Sequence, residues 1–183
     1  MTAPRALRTR EEQLAEYARR VRASIPVIVS LGISTLVAVP LFVSGPFWPH
    51  WGALCVYHWS THRPDLMPPP LAFAFGLVLD VWMGTPFGLN ATLLLVMAAL
   101  VGSQYAAFAA RPFIFAWAVA IPTLALFAAM TWSLLSLAGY ALDPQPFLFQ
   151  TLSSALAYPL VSGLCAPVQR WAIDRWIPPL DTN

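Results

Sequence analysis

Asp80 is the residue of this sequence whose type and position most suggest chemistry. It lies inside the apolar run 75–84. A carboxylate within a membrane span costs about 2.5–3.5 kcal/mol on insertion scales, so it should face protein or a cavity rather than lipid. Gly76, Asp80 and Gly84 are spaced i, i+4, i+8 and therefore share one helix face. Asp80 is either a proton or ion site, a buried docking group, or a structural hydrogen-bond acceptor between helices.

The segment after Asp80 has the spacing of a membrane dimerisation motif, with Gly84 and Gly88 four residues apart. Pro86 lies between them and argues against an unbroken helix. We therefore predict a tight turn at the outer membrane surface.

Three histidines, His50, His58 and His62, are four residues apart and could share a helix face. Their predicted depths run from one membrane surface towards the other, which disfavours a common metal site. A proton relay usually needs several ionisable groups in neighbouring spans, and only His58 could accompany Asp80.

Signatures of catalysis are missing from the sequence. It contains no His/Glu zinc pattern, no nucleophile elbow and no P-loop. Cys55 and Cys165 both lie in apolar runs and are predicted to be buried apolar residues. We predict no catalytic residue, no metal and no cofactor, so the chain is not expected to be an enzyme.

The composition is that of an integral membrane protein. Hydrophobic residues make up 58% of the 183 positions and charged residues only 10%, whereas soluble domains carry about 25% charged residues. Mean hydropathy is +0.65. The ten basic residues are all Arg and are too sparse for a nucleic-acid surface, so lipid is the expected surrounding and nucleic acid is not an expected partner.

Apolar runs divided by Pro and Gly predict an all-α fold of about six membrane spans. The first run shows no cleavage site and is expected to be retained as a span. Even when it is extended to Arg63, the second reaches only about 22 Å against a hydrocarbon core of ~30 Å, so it is a span shielded by neighbours or a re-entrant segment. The predicted segments are 24–44, 49–61, 70–84, 89–109, 113–137 and 147–168.

The arginines predict the orientation of these spans. With the N-terminus in the cytoplasm and six crossings, Arg63, Arg111, Arg170 and Arg175 all fall in cytoplasmic segments. The three outer connections, around Phe47, Thr85 and Asp143, contain no Arg. Both termini are therefore predicted to be cytoplasmic.

The chain divides by composition into three parts. Residues 1–23 hold six Arg and form a cytoplasmic tail, in which 11–22 carry an apolar stripe typical of a short amphipathic helix. Residues 24–168 form the six-span domain. Residues 169–183 form a second cytoplasmic tail.

Four motifs follow one another along the chain: Val56-Tyr57-His58-Trp59, Arg63-Pro64, Gly76-Leu77-Val78-Leu79-Asp80 and Gly84-Thr85-Pro86-Phe87-Gly88. Together they resemble the rod shape-determining protein MreD family. In that family an aromatic Tyr-Trp stretch ends the second span, and G-x-x-x-D followed by G-x-x-x-G forms the third span and its turn. This chain departs from the pattern in its Arg-rich N-terminal extension and in His58, which is inserted between Tyr57 and Trp59.

The resemblance implies a non-enzymatic subunit of the bacterial cell-elongation machinery in the inner membrane. It implies a fold similar to the substrate-binding component of energy-coupling-factor transporters. Its expected partners are an MreC-like single-span protein and, in a larger complex, MreB, RodZ, RodA and a class B penicillin-binding protein. The residues expected to bind a partner or to support the structure are Asp80, Gly76, Gly84, Pro86, Gly88, Tyr57, Trp59 and Arg63.

Two other functions compete with a scaffold. A small-molecule-binding subunit of a transporter would need a polar pocket among the spans or outer loops. An enzyme acting on lipid would need two convergent catalytic groups, and Asp80 and His58 are the only plausible pair. For a purely structural Asp80, the sequence predicts that Asp80→Asn is mild and that Asp80→Leu weakens assembly.

Overall fold

The computed structural model describes residues 10–38 and 48–170, and the described residues form helices without strands. The tail after residue 170, with Arg175, and the outer end of the first predicted span lie outside them. The helices are α1 (Arg10–Ala38), α2 (Trp51–His62), α3 (Pro69–Met83), α4 (Leu89–Ser103), α5 (Tyr105–Ala109), α6 (Phe113–Leu137) and α7 (Gln145–Val168).

Helix α2 forms the centre of the packing. Each residue from Gly52 to Thr61 is buried, and α1, α4, α5 and α7 pack around it. A helix of this length covers only about 18 Å. Its neighbours shield the short segment on all sides, so its polar residues need not face lipid.

Helices α6 and α7 are long and apolar enough to cross a membrane. In a soluble protein such helices would be mostly buried, but here only about a third or fewer of the residues in their most apolar stretches are buried. Leu126 and Leu164 are among their exposed side chains. An apolar surface of this extent needs lipid or a partner to cover it.

The fourth predicted span, 89–109, has the bounds of two consecutive helices rather than one. The structure has two helices, α4 and α5, which meet at Gln104. The Gln104 amide donates to the Val101 carbonyl at 3.0 Å, three residues back rather than four, and this tighter bond ends α4. The signal in the sequence is the small and polar run Gly102-Ser103-Gln104, which the prediction of one span passed over.

The N-terminal segment and the first predicted span form one continuous helix, α1, with Pro26 inside it. Residue 23 is therefore not a helix boundary. The three-part division of the chain stays a prediction, as do the six crossings and the likeness to the transporter component.

Candidate functional site

The Asp80 carboxylate is the centre of a buried hydrogen-bond network between α3 and α4. Its Oδ1 atom accepts hydrogen bonds from the Thr85 hydroxyl at 2.8 Å, from the Asn90 backbone nitrogen at 2.9 Å and from the Asn90 side-chain Nδ2 at 3.0 Å. Its Oδ2 atom accepts from the backbone nitrogen of Gly88 at 2.9 Å and, more weakly, from that of Ala91 at 3.4 Å. Both oxygens are therefore occupied by one neighbouring turn.

This network caps the start of α4. The first amides of a helix have no partner within the helix, and the residue before α4, Gly88, has no side chain that could accept them. Asp80 supplies the missing acceptor from the preceding helix. A carboxylate is also favoured at a helix N-terminus, where the helix dipole is positive.

Gly76 lets the two helices approach closely enough for this cap. A Cβ atom on residue 76 would contact the Ala91 Cα atom and lie 2.6 Å from the Ala91 nitrogen. Because both of these are backbone atoms, they can yield only if α3 and α4 move apart. Gly76 and Asp80 thus act on the same contact, one by its small size and the other by its acceptors.

The turn between the helices depends on two glycines with left-handed backbone conformations. Gly84 ends α3 at φ 65° and Gly88 precedes α4 at φ 95°. Such positive φ angles favour glycine. Between them Pro86 accepts a hydrogen bond from the Leu89 amide at 3.1 Å, and the Phe87 side chain at the tip is exposed. We call α3, this turn and α4 the Asp80 hairpin (residues 69–103).

Sequence reasoning missed Asn90 as a member of the site. Its side chain is buried and donates both to Asp80 and to the Thr85 hydroxyl, the latter at 3.0 Å. The available signal was an amide in the otherwise apolar start of α4. An Asn at that position has few partners in lipid and must find one within the protein.

Tyr57 and Trp59 attach α2 to its neighbours rather than to the hairpin. The Tyr57 hydroxyl donates to the Ala116 carbonyl of α6 at 2.7 Å. The Trp59 indole donates to the Ser30 hydroxyl of α1 at 2.8 Å. Both aromatic side chains are buried, so they hold the bundle together and present no surface to a partner.

Arg63 organises the loop between α2 and α3. Its guanidinium group is buried and makes a forked ion pair with the Asp65 carboxylate, with Nε to Oδ1 at 3.0 Å and Nη2 to Oδ2 at 2.9 Å. Its backbone amide donates to the Trp59 carbonyl at 2.7 Å. Arg63 and Asp80 therefore lie at opposite ends of α3, Arg63 in the loop before it and Asp80 in its last turn, while Tyr57 and Trp59 lie on α2.

The histidines do not converge on a metal site. His58 is buried, neither of its ring nitrogens has a hydrogen-bond partner, and its ring stacks on His62 with centroids 4.3 Å apart. His50 lies at the other end of α2, where its Nδ1 accepts from the Ala53 amide at 3.2 Å. Within residues 10–38 and 48–170, no three His, Cys, Asp or Glu side chains come together. Cys55 and Cys165 are buried free thiols.

The family model for the rod shape-determining protein MreD matches residues 19–166. The chain belongs to the MreD family. No curated protein and no solved structure matches it. The family places this chain among the proteins that determine rod shape, and its exposed apolar helices identify it as a membrane protein. The Asp80 hairpin lies wholly within the matched region of this MreD chain.

Proposed function

We propose that this MreD chain is a non-enzymatic scaffold subunit of the bacterial cell-elongation machinery in the inner membrane. The family match over residues 19–166 carries the proposal. In it, the chain docks an MreC-like single-span protein and supports lateral peptidoglycan synthesis alongside MreB, RodZ, RodA and a class B penicillin-binding protein.

The arrangement of Asp80 favours a structural role over chemistry. Both of its oxygens already accept hydrogen bonds from the same hairpin, and a carboxylate that abstracts or donates protons needs a free approach to its substrate. Two grooves in the described part of the chain, one between α1 and α7 and one between α4 and α6, are lined almost entirely by apolar side chains. They do not supply the polar pocket that a small-molecule-binding subunit would need.

We propose that the partner docks on the exposed apolar face of the Asp80 hairpin. Val78, Val81 and Trp82 are spaced i, i+3, i+4 on α3 and are all exposed, as is Phe87 at the tip. A single-span partner has an apolar helix that can pack along such a face. The buried network behind the face keeps α3 and α4 in a fixed relation, which reduces the entropy cost of binding.

Affinity purification of the tagged chain from mild-detergent extracts of its own host tests the function. We expect mass spectrometry to recover a single-span MreC-like protein together with wall-synthesis proteins. Recovery of transporter ATPases or a bound metabolite in their place would replace the scaffold by a transporter subunit.

The same purification tests the docking face through Trp82→Ala. Aromatic residues often dominate interfaces, and truncation of such a residue costs about 1 kcal/mol or more, or at least about fivefold in affinity. Leu152→Ala is the matched control, because Leu152 is an exposed apolar residue on α7. Equal partner recovery with the two variants would remove the hairpin face from the proposal and leave the family function intact.

A further inference from the structure

A groove of about 560 Å³ runs between α1 and α7. We call it the α1–α7 groove. Its walls include Ile25, Val29 and Ile33 of α1 and Leu160 and Leu164 of α7. The five wall side chains are more than half exposed, so the groove opens to the surroundings of the protein rather than to its core.

The groove is elongated and runs along α1. From Ile25 to Val37 it follows α1 for about 18 Å, since a helix rises 1.5 Å per residue.

The arginines nearest to the groove in the sequence lie beyond one of its ends. Arg170 lies two residues beyond the lining residue Val168 on α7, and it is exposed. On α1, Arg22 comes one helical turn before Ile25, with Arg19 and Arg20 just before it in the sequence. The opposite end, at Val37 and Leu160, adjoins a connection without arginine. The groove is therefore apolar along its length, with the exposed Arg170 close to one end and three more arginines before that end in the sequence.

We propose that the α1–α7 groove binds an acyl chain of an anionic phospholipid, with the phosphate headgroup at the arginine end. Basic residues beside a membrane helix attract anionic headgroups, and apolar surface favours the acyl chain. The proposal rests on the placement of the chain in a membrane and does not depend on its part in cell elongation.

A second groove provides an internal comparison. It lies between α4 and α6, has a volume of about 410 Å³ and is also apolar, with Val96 and Leu126 among its lining residues. Arg111 is the basic residue near this side of α6, and its guanidinium lies over the Phe115 ring, 4.4 Å from the centroid. The α4–α6 groove thus matches the first in apolar character but has fewer arginines near its end.

Native mass spectrometry of the full chain tests the proposal, after incubation with equal amounts of phosphatidylglycerol and phosphatidylcholine. We expect preferential retention of phosphatidylglycerol.

Ile33→Trp should abolish this retention by filling the groove, while Val96→Trp in the α4–α6 groove should leave it unchanged. Arg170→Gln should lower the preference about fivefold, whereas Arg111→Gln should not change it. Equal retention of the two lipids by the unaltered chain would overturn the proposal.

A photoreactive phosphatidylglycerol, with a diazirine in one acyl chain, gives a second test that needs no variant to fold. We expect the cross-links to concentrate on residues 25–37 and 160–168. Cross-links spread evenly over α6 and the other exposed apolar helices would show a general lipid annulus and would overturn a specific site.

Discussion

At the scale of single residues, the Asp80 carboxylate accepts more hydrogen bonds within the hairpin than its position in the sequence indicates. The sequence predicts a mild effect of Asp80→Asn, but the geometry predicts a larger one. The Asn amide keeps one acceptor oxygen, but its NH₂ group replaces the other. That NH₂ group would face a backbone N–H that now donates to Asp80. We expect Asp80→Asn to destabilise the fold by about 1–2 kcal/mol and Asp80→Leu by about 3 kcal/mol, because each leaves buried donors unpaired.

Thermal unfolding in detergent measures both Asp80 variants. Asp143→Asn is the control, because Asp143 is exposed and accepts only a local bond from the Gln145 amide at 3.0 Å. If Asp80→Asn unfolds like the original chain but abolishes cell-shape function with the complex intact, a protonation role would replace the structural one.

Gly76→Ala tests the close approach of α3 and α4. The added methyl group would meet Ala91 backbone atoms, and overpacking of this kind costs about 1–3 kcal/mol. Gly163→Ala is the matched control in α7, since a Cβ there has no atom within 4 Å. We expect Gly163→Ala to be neutral or slightly stabilising, because Ala favours helix over Gly. Equal unfolding temperatures for the two variants would contradict the role given to Gly76.

The sequence predicts part of this site and not the rest, for a physical reason. The spacing of Gly76, Asp80 and Gly84 places them on one face by helical period alone. The donors to Asp80 lie five to eleven residues later, beyond a turn, and their positions depend on the φ angles of Gly84 and Gly88. Periodicity within one helix carries no information about how the chain turns and which residues after the turn reach Asp80.

At the scale of elements, the boundaries that Pro marks are predicted well and those made by backbone hydrogen bonds are not. Helix α6 occupies Phe113–Leu137, as the sequence predicts from Arg111-Pro112 before it. The break between α4 and α5 has no Pro. Beside it, a Cβ on Gly102 would lie 3.3 Å from the Pro64 side chain, so the end of α4 packs on the loop that Arg63 organises.

The connection between α2 and α3 should depend on the buried Arg63. Loss of one partner from a buried ion pair is strongly destabilising, and the partial exposure of Asp65 reduces this effect. We expect Arg63→Gln to lower the free energy of unfolding by about 2 kcal/mol. Arg111→Gln is the exposed control and should change it by less than about 1 kcal/mol. Urea denaturation in detergent would measure the difference. Equal unfolding midpoints for the two variants would refute the structural role of Arg63.

At the scale of the whole molecule, the arrangement of α2 decides the topology. If α2 crosses the membrane, the Asp80 turn lies outside and the loop at Ala110 lies inside. If α2 is re-entrant, these two positions exchange sides, and Arg63 moves outside. The burial of residues 52–61 shows that the protein shields α2, which either path permits. The arginine distribution favours the crossing.

Labelling of single cysteines in intact cells with a membrane-impermeant maleimide distinguishes the two paths. In a Cys55→Ala, Cys165→Ala background, we expect Phe87→Cys and Ala141→Cys to react from outside and Ala110→Cys to react only after the cells are opened. Phe87 and Ala141 are exposed, so the reagent can reach both. The discriminating pair is Phe87→Cys and Ala110→Cys, because a re-entrant α2 would reverse their accessibility. Reversal would place the Asp80 hairpin turn in the cytoplasm and would move the proposed docking of a single-span partner to the opposite side of the membrane.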